Sequence, residues 1–331
     1  MTAAPTIPVT ILTGFLGSGK TTLLNHILTE RHGHKIAVIM NEFGEVDIDS
    51  DLIVKTEEEI FQMTNGCMCC VADVRQDVIK IVAKLIAGGQ PLDHIIVETS
   101  GLADPAPVAA AFFVDEEAAR RVSLDAIVTM VDARHIAGHL ADERLNATDN
   151  QAADQIMAAD RIVLNKIDLV NATELAAAEA QVRRVNETAP IVHSQQAKVA
   201  LDRILGIGGF SPPSIANRPD FFADDLAHSH DPSLVSEAFV YSAPFDPARL
   251  AAWLEEITRE KGADLFRLKG IIAVAGDPNR WVLQAVHTLL DFRSDIPWGD
   301  TAPGSKIVFI GRDLDRAALG RALDECLARS G

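Results

Sequence analysis

The stretch GFLGSGKTT at residues 14–22 decides the fold of this chain. It matches the phosphate-binding pattern G-x-x-x-x-G-K-[ST], in which glycines let the backbone N–H groups of the loop point at phosphate oxygens. We expect the ammonium group of Lys20 to reach the β- and γ-phosphates of a nucleotide, and the hydroxyl of Thr21 to bind Mg²⁺. The other residues that we expect to contact the phosphates are Gly14, Gly17, Ser18, Gly19 and Thr22.

The residues on both sides of this loop provide the context that a phosphate-binding loop needs. Residues 7–13, IPVTILT, predict a buried strand. Residues 21–30 predict a helix, whose positive N-terminal end adds to anion binding. The alternative is a chance glycine-rich turn, which would need neither the strand before it nor the helix after it. The sequence therefore predicts a nucleotide-phosphate site between a strand and a helix.

Length and composition place the chain among globular proteins. It has 331 residues, of which 48% are hydrophobic, so two domains can each bury a core. The formal net charge of −17 argues against a nucleic-acid partner, because neutralising phosphates requires basic clusters. We find no membrane-spanning stretch and no signal peptide, so we expect no membrane association and a cytoplasmic location. There the four cysteines should be reduced and available for metal or redox chemistry.

An acidic loop, NEFGEVDID at residues 41–49, follows a second apolar strand at residues 35–40. In nucleotide-binding folds, ligands collect at the carboxyl ends of strands. We therefore interpret this loop as a switch region in which Glu42, Glu45 and Asp49 are candidates for contact with Mg²⁺ or a second metal, with Glu42 selected as the metal ligand. A solvated acidic loop is the alternative.

Three of the four cysteines fall within four positions, in NGCMCC at residues 65–70. They lie between a short predicted strand, residues 60–63, and a predicted helix, whose dipole favours the metal-binding thiolate. Cys67 and Cys69 can converge on one soft cation, and Cys70 can either supply a third sulfur or face inward. Three thiolates are one ligand short of a tetrahedral Zn²⁺ site, which suits metal transfer better than storage. The alternatives are a redox-active pair and small buried side chains.

A third motif, ETSGLADP at residues 98–105, begins at the end of an apolar strand. A carboxylate at a strand end, followed three residues later by glycine, is the Walker-B pattern. The acid holds the Mg²⁺ shell, and the glycine N–H meets the γ-phosphate. We therefore predict these catalytic roles for Glu98 and Gly101. Asp104 and Asp93 are the alternative metal acids.

The tetrapeptide NKID at residues 165–168 is typical of guanine recognition and follows a predicted strand at 161–164. The carboxylate of Asp168 can accept hydrogen bonds from both N1–H and the N2 amino group of guanine, a donor pair that adenine lacks. Asn165 and Lys166 complete the motif. Because the motif lies downstream of a phosphate-binding loop, it predicts GTP rather than ATP.

The pattern of elements predicts two domains. Strands alternate with helical stretches across residues 1–205, which predicts an α/β fold with a doubly wound, mainly parallel sheet and helices on both faces. Residues 206–233 are rich in glycine and proline and predict a linker. His228 and His230 in this linker are candidates for transient metal contact, and a solvated linker is the alternative.

Residues 234–331 predict a smaller α+β domain. We expect helices at residues 246–259 and near the C-terminus, and we expect Cys326 to be a core residue of the closing helix. His287 lies in an apolar strand, where a structural histidine is the expected role. The predicted strands are at residues 236–241, 268–274, 281–287 and 307–310.

The order and spacing of these motifs resemble those of the CobW-like metallochaperone GTPases, over nearly the whole chain. The tail resembles that family's C-terminal domain, including residues 269–270 and 310–312, and the C-x-C-C motif is the most specific feature. The resemblance implies GTP hydrolysis coupled to the handling of Zn²⁺, Co²⁺ or a related metal, and its delivery to a client metalloprotein. It implies that the motif cysteines bind the metal and that the nucleotide contacts are Lys20, Thr21, Asn165 and Asp168.

The chain departs from the family pattern in two places. Asp47 stands where family members often carry glycine in N-E-F-G-E-x-G, which would alter the mobility of that segment. The histidine tract is short, which argues against metal storage. We also find no equivalent of a water-positioning glutamine, so we expect slow intrinsic GTP hydrolysis that metal or a partner stimulates.

Three other functions stay open at this stage. The first is a GTP-binding interaction protein with structural or redox cysteines. The second is a dedicated activator of one metalloenzyme, of the nitrile hydratase or cobalt-chelatase type. The third is a kinase, against which the N-K-x-D motif argues. The metal, the client and the oligomeric state, with a homodimer as one option, are not decided by the sequence.

Overall fold

The computed structural model describes most of the chain, which folds into two compact units, residues 1–209 and 210–331. The predicted boundaries of the domains and the linker stay predictions. No helix in the described part of the chain is long and apolar enough to cross a membrane. The described residues are 6–30, 32–41, 60–63, 80–87, 91–114, 121–141, 150–209, 234–262, 264–286, 289–299 and 301–328.

The first unit is built on a seven-stranded sheet in which every strand pair is parallel. Its strands are β1 (Ile7–Gly14), β2 (Ile36–Asn41), β3 (Ile60–Met63), β4 (His94–Glu98), β5 (Val122–Asp132), β6 (Arg161–Asn165) and β7 (Ile191–His193). They lie in the order β3-β2-β4-β1-β5-β6-β7. Strands β2, β3 and β4 lie on one side of β1, and the later strands β5, β6 and β7 lie on the other side. The carboxyl end of β1 is therefore a topological switch point, where open α/β sheets bind their ligands.

Helices cover both faces of this sheet. The helices are α1 (Lys20–Thr29), α2 (Ala106–Val114), α3 (Ile136–Ala141), α4 (Gln151–Ala158) and α5 (Ala172–Val185), and residues 80–87 are also helical. Leu23 and Ile27 of α1 belong to the same core cluster as Val163 of β6. Ile156 of α4 and Leu164 of β6 belong to a second cluster. Because neighbouring residues of a strand point to opposite faces, the two clusters lie on opposite faces of the sheet. The predicted doubly wound α/β fold is confirmed.

The second unit contains a five-stranded antiparallel sheet covered by two helices. The strands are β8 (Leu234–Tyr241), β9 (Leu265–Ala273), β10 (Asn279–Val286), β11 (Leu289–Pro297) and β12 (Ser305–Arg312), in the order β11-β10-β9-β12-β8. The helices α6 (Pro247–Lys261) and α7 (Arg316–Glu325) pack on one face of the sheet. Cys326 is buried in this core, as predicted. The unit confirms the predicted α+β fold.

The structure shifts the bounds of all four predicted strands of this unit by a few residues, and two differences are the largest. Strand β9 begins at Leu265, three residues before the predicted start, because the buried Arg267 interrupts the apolar pattern near its beginning. Strand β11 has no counterpart among the predicted strands. It lies at the edge of the sheet and carries charged residues at positions 291, 293 and 295, so it shows no continuous apolar run.

Candidate nucleotide-binding site

The phosphate-binding loop joins β1 to α1 and requires glycine at two positions. Gly14 has φ 141° and Gly19 has φ 111°, both in the region that favours glycine. A Cβ atom at Gly14 would lie 2.3 Å from the carbonyl oxygen of Met130, and one at Gly19 would lie 2.5 Å from Nδ2 of Asn165. The glycines therefore let the loop approach β5 and the NKID motif closely. Gly17 also has a positive φ, of 75°, and is exposed.

Two buried polar side chains of this loop are available for a phosphate group. The ammonium group of Lys20 donates a hydrogen bond of 2.8 Å to the carbonyl oxygen of Gly14, which holds it against the loop. Ser18 is 1% exposed, and its hydroxyl has no hydrogen-bond partner among the described residues. A buried polar atom without a partner is costly, which makes it a candidate for ligand contact. Thr21 and Thr22 follow in the first turn of α1, half-buried and exposed respectively.

Asn165 at the end of β6 connects two loops of the site. Its Nδ2 donates to the carbonyl oxygen of Ser18 at 2.9 Å, and its Oδ1 accepts from the backbone N–H of Ala197 at 2.9 Å. The side chain is buried. The geometry therefore gives the NKID asparagine a bracing role, in which it fixes the phosphate-binding loop relative to the loop after β7.

Lys166 and Asp132 form a second brace at the ends of β6 and β5. Lys166 adopts φ 61°, and its ammonium group donates to Oδ2 of Asp132 at 2.8 Å. The same carboxylate oxygen lies 3.0 Å from Nδ1 of His135. Burial alone would raise the pKa of Asp132, but the hydrogen bonds from Lys166 and His135 lower this pKa below its usual value. The carboxylate is therefore ionised at neutral pH and fixes the direction of the Lys166 side chain.

A cleft of about 700 Å³ brings the phosphate-binding loop and the NKID motif together. One side is lined by Gly19 and by His26 of α1, and the other by Asp168, Leu169 and Lys198. Asp168 is exposed within a 3₁₀ turn, Ile167–Leu169, that begins directly after Lys166. The volume lies in the range of sites for nucleotide-sized ligands. The cleft therefore places the predicted guanine-binding carboxylate in the same site as the phosphate-binding loop.

The Walker-B segment lies beside the phosphate-binding loop. Glu98 is buried at the carboxyl end of β4, the neighbour of β1. The next residue, Thr99, is tied to β1 by a backbone bond to the carbonyl oxygen of Leu12 at 2.9 Å. A Cβ atom at Gly101 would lie 2.8 Å from the backbone nitrogen of Leu16. Glu98 and Gly101 are thus both brought to the edge of the sheet where the phosphates are expected.

The two alternative metal acids have other roles in the structure. Oδ2 of Asp93 accepts from the backbone N–H of Lys35 at 2.8 Å, just before β4 begins and therefore at the opposite end of that strand from Glu98. Oδ1 of Asp104 accepts from the backbone N–H of Ala106 at 2.9 Å, at the start of α2. Glu98 therefore stays the predicted acid of the Mg²⁺ shell.

Sequence reasoning assigned no role to two residues of this site. Asp132 ends a strand, and this position is the sequence feature by which it could have been selected. Gln155 of α4 donates to the carbonyl oxygens of Gly101 and Ala103, and a glutamine within a helix gives no indication of such a contact.

The predicted transition-metal ligands lie outside the described residues. Within the described ranges, no group of three or more histidine, cysteine, aspartate and glutamate residues is arranged to hold a metal ion. The residues that were considered for a metal role and that lie outside the described ranges are Glu42, Glu45, Asp49, Cys67, Cys69, Cys70, His228, His230 and His287.

Two family models match the chain. Residues 8–193 match the CobW/HypB/UreG nucleotide-binding domain. Residues 234–327 match the C-terminal domain of the cobalamin synthesis protein cobW. The first match alone spans more than half of the chain, and it contains the phosphate-binding loop, the Walker-B segment and the NKID motif.

Relatives of known name match nearly the full length. The zinc chaperone YjiA of Escherichia coli (strain K12) is 38% identical over 312 residues, which cover 93% of this chain and 95% of YjiA. The zinc chaperone CobW of Sinorhizobium sp is 36% identical over 346 residues, which cover 96% of each chain. The crystal structure of the Zn(II)-bound YjiA GTPase from E. coli matches with a TM-score of 0.75 at 30% identity, and the match covers 99% of this chain and 100% of that one. The chain therefore belongs to the CobW family, with the nucleotide-binding domain of the CobW/HypB/UreG type and the CobW C-terminal domain.

Proposed function

We propose that this chain is a GTP-hydrolysing zinc chaperone, which binds zinc through its C-x-C-C motif and delivers it to a client metalloprotein in a nucleotide-dependent way. One observation carries the nucleotide part of the proposal. The NKID motif and the phosphate-binding loop line one cleft and are joined by the hydrogen bond from Asn165 to Ser18. The zinc part is supported by the zinc chaperones to which the chain is similar.

The cleft favours a guanine nucleotide over an adenine nucleotide. The carboxylate of Asp168 is exposed in the cleft, where it can accept two hydrogen bonds from guanine. An adenine ring offers no such donor pair, so its binding would leave the carboxylate desolvated without a partner. The braced Lys166 side chain lies along the same wall of the cleft.

The γ-phosphate would contact residues from both motifs at the end of β1. Lys20 would exchange its bond to the Gly14 carbonyl for a bond to phosphate oxygens, and the Gly101 N–H would reach the γ-phosphate. Thr21 and Glu98 fit a Mg²⁺ ion on the nucleotide, because hydroxyl and carboxylate oxygens are the hard ligands that it prefers. When bound, this ion neutralises charge on the β- and γ-phosphate oxygens.

The zinc ligands that we propose are Cys67, Cys69 and Cys70, with Glu42 as an additional candidate. The support for Glu42 comes from the sheet. Asn41 and Met63 are partners in the parallel register of β2 and β3, so the acidic segment and the cysteine segment leave the sheet at neighbouring points. Both points are at the same edge as the phosphate-binding loop, since the strands are parallel. Cobalt is the chemical alternative, because thiolates bind both ions.

Nucleotide and metal would be linked through this shared edge of the sheet. If the γ-phosphate orders segments that also hold the metal, zinc binds more tightly in one nucleotide state and favours that state in return. The hydrolysis step then changes the zinc affinity and directs transfer to the client. We also propose a cytoplasmic location, because three neighbouring thiols require a reducing compartment to remain metal ligands. We also propose that the chain has a client metalloprotein, which we do not name, and that it forms a homodimer.

The test replaces Cys67, Cys69 and Cys70 together by serine and measures the bound zinc per chain, the affinity for GDP and the rate of GTP hydrolysis. Cys326→Ser is the matched control, since Cys326 is a buried core thiol on the second unit. We expect the triple variant to lose zinc while it still binds GDP, and the control to keep both. Unchanged zinc stoichiometry in the triple variant would contradict the proposal and favour structural cysteines.

A further inference from the structure

We propose that Gln155 is a positioning residue that holds the Gly101 loop against the phosphate-binding loop, so that the γ-phosphate meets a preset N–H group. This inference rests on the proposed role of Gly101. Gln155 lies outside every nucleotide-binding motif of the chain. In this inference, the contact between α4 and the Walker-B loop is what lets the protein sense the γ-phosphate.

The contact is bidentate. Nε2 of Gln155 donates to the carbonyl oxygen of Gly101 at 3.1 Å and to that of Ala103 at 3.0 Å. Both amide protons are therefore used on one short loop, and the side chain is 1% exposed. The backbone carbonyl of Gln155 accepts from the hydroxyl of Thr129 at 2.7 Å, which fixes α4 to β5. The Gln155 side chain that clamps the loop is thus anchored to the central sheet through Thr129.

The clamped loop has little freedom elsewhere. Its first residue, Thr99, is tied to β1 through its backbone N–H and through its hydroxyl, which donates to that of Thr13 at 2.8 Å. Gly101 lies so close to the phosphate-binding loop that an added Cβ atom would be 2.7 Å from Cδ2 of Leu16. Removing the clamp would therefore release the middle of the loop while both of these contacts remain. The loop would still be present but would sample more positions.

The unused oxygen of Gln155 argues against a role in packing alone. Oε1 is buried and has no hydrogen-bond partner among the described residues. A buried acceptor without a partner costs free energy, so an apolar side chain of the same length would be the better choice for packing alone. The donor end must therefore provide something that packing does not.

The test compares Gln155→Met, which keeps the length and removes both donors, with Gln155→Glu, which places a carboxylate against two carbonyl oxygens. Gln284→Met is the matched control. Gln284 is also buried, lies on β10 of the second unit, and neither polar atom of its side chain is hydrogen-bonded within the described residues. The measurements are kcat and KM for GTP, the affinities for GDP and a non-hydrolysable GTP analogue, and the unfolding temperature.

We expect Gln155→Met to lower kcat and the affinity for the GTP analogue by about tenfold, the effect of losing two hydrogen bonds of modest net strength. The affinity for GDP should stay within about twofold of the wild type, because GDP has no γ-phosphate for the loop to meet. Gln155→Glu should have a larger effect of the same kind, and the control should behave as wild type. Parallel losses of GDP and analogue affinity with a lower unfolding temperature would overturn the inference, as would unchanged kcat.

A further variant, Gly101→Ala, distinguishes a failure of this inference from a failure of the proposed function. Gly101→Ala places a methyl group against Leu16 and should impair GTP hydrolysis if Gly101 meets the γ-phosphate. If Gly101→Ala hydrolyses GTP normally, the proposed role of Gly101 fails. If Gly101→Ala is impaired and Gln155→Met is not, the proposed function stands and only the role of Gln155 is wrong.

Discussion

The amide of Asn165 donates a hydrogen bond of 2.9 Å to the backbone carbonyl of Ser18, so the guanine motif is joined directly to the phosphate-binding loop. The two residues are 147 positions apart in the chain. The bond connects the loop that we propose to bind the phosphates with the segment that we propose to recognise the base. Changes at this contact should therefore affect the binding of GDP and GTP alike.

Replacing Asn165 by alanine should weaken the binding of GDP and GTP together. The change leaves the Ser18 carbonyl and the Ala197 N–H without their buried partner, and each such loss costs about 1–3 kcal/mol. We expect the affinity for both nucleotides to fall by about 10- to 100-fold. Fluorescent GDP titration is the measurement. Asn171→Ala is the control, since it removes only the N-cap of α5; equal affinities in wild type and Asn165→Ala would contradict the bracing role.

Gly19→Ala should abolish nucleotide binding. Besides its positive φ, the added methyl group would lie 2.5 Å from Nδ2 of Asn165 and would break the brace. Gly33→Ala provides a matched comparison, because Gly33 has φ 75° and a Cβ atom there meets no atom within 4 Å. That variant should cost about 1–2 kcal/mol of unfolding free energy through backbone strain and leave the affinity intact. Similar affinities in the two variants would mean that the close approach to Asn165 has no role.

Asp168→Asn should exchange the preferred base. Asparagine presents a donor as well as an acceptor, which suits the second carbonyl group of xanthine and opposes the amino group of guanine. We expect GTP affinity to fall by on the order of 100-fold and xanthosine triphosphate to bind instead. Competition with fluorescent GDP measures both. Asp202→Asn, at an exposed position of the same unit, should change neither affinity. An Asp168→Asn variant that still prefers GTP would show that this carboxylate does not read the base.

The buried histidine His94 should make the stability of the protein depend on pH. Burial, followed by the positive charge of His34, lowers the pKa of His94 from 6.5 to about 4. Its Nε2 lies 2.8 Å from the hydroxyl of Thr10, which itself donates to Asp125 at 3.0 Å, so Nε2 carries the proton of a neutral ring. The unfolded chain takes up a proton below pH 6.5 while the folded chain does not. The stability is therefore fully present above pH 6.5 and falls as the pH drops towards 4.

The loss over this window is on the order of a few kcal/mol. Burial also raises the pKa of Asp125. The contribution of Asp125 to the stability of the folded protein has the opposite pH dependence, because it is lost as the pH rises above the ordinary pKa of an aspartate. Denaturant unfolding at several pH values measures the sum. His94→Gln keeps a donor for Thr10 and removes the titration, so it should flatten the dependence between pH 4 and 6.5. An unchanged slope in this variant would exclude His94 as its source.

The sequence predicted the strands of the first unit and the glycine-rich loop after β1 well, for a physical reason. Strands such as β4 are buried along their whole length, so their central residues form a continuous apolar run. The phosphate-binding loop needs glycine at Gly14 and Gly19 for close approach, and this requirement is visible in the residue types themselves. Strand β11 could not be found in this way, because an edge strand with alternating charges lacks such a run.

Residues that act through other residues were harder to predict. The NKID pattern indicated that Asn165 belongs to the site. Its bonds to Ser18 and Ala197 form only once β1, β5, β6 and β7 lie in this order in one sheet. The clamp by Gln155 depends on the packing of α4 beside the Walker-B loop. Long-range contacts of this kind follow from strand order, which residue types do not encode locally.

The most direct test of the proposed function is a Co²⁺ and Zn²⁺ titration of the reduced protein, loaded first with GDP and then with a non-hydrolysable GTP analogue. Thiolate-to-cobalt charge-transfer absorption reports binding at the cysteine motif, and Zn²⁺ competes for the same site. We predict a strong thiolate absorption and a metal affinity that differs between the two nucleotide states. Equal affinities in the two states would contradict a nucleotide-dependent delivery switch, and no thiolate absorption in either state would contradict metal binding by the cysteines.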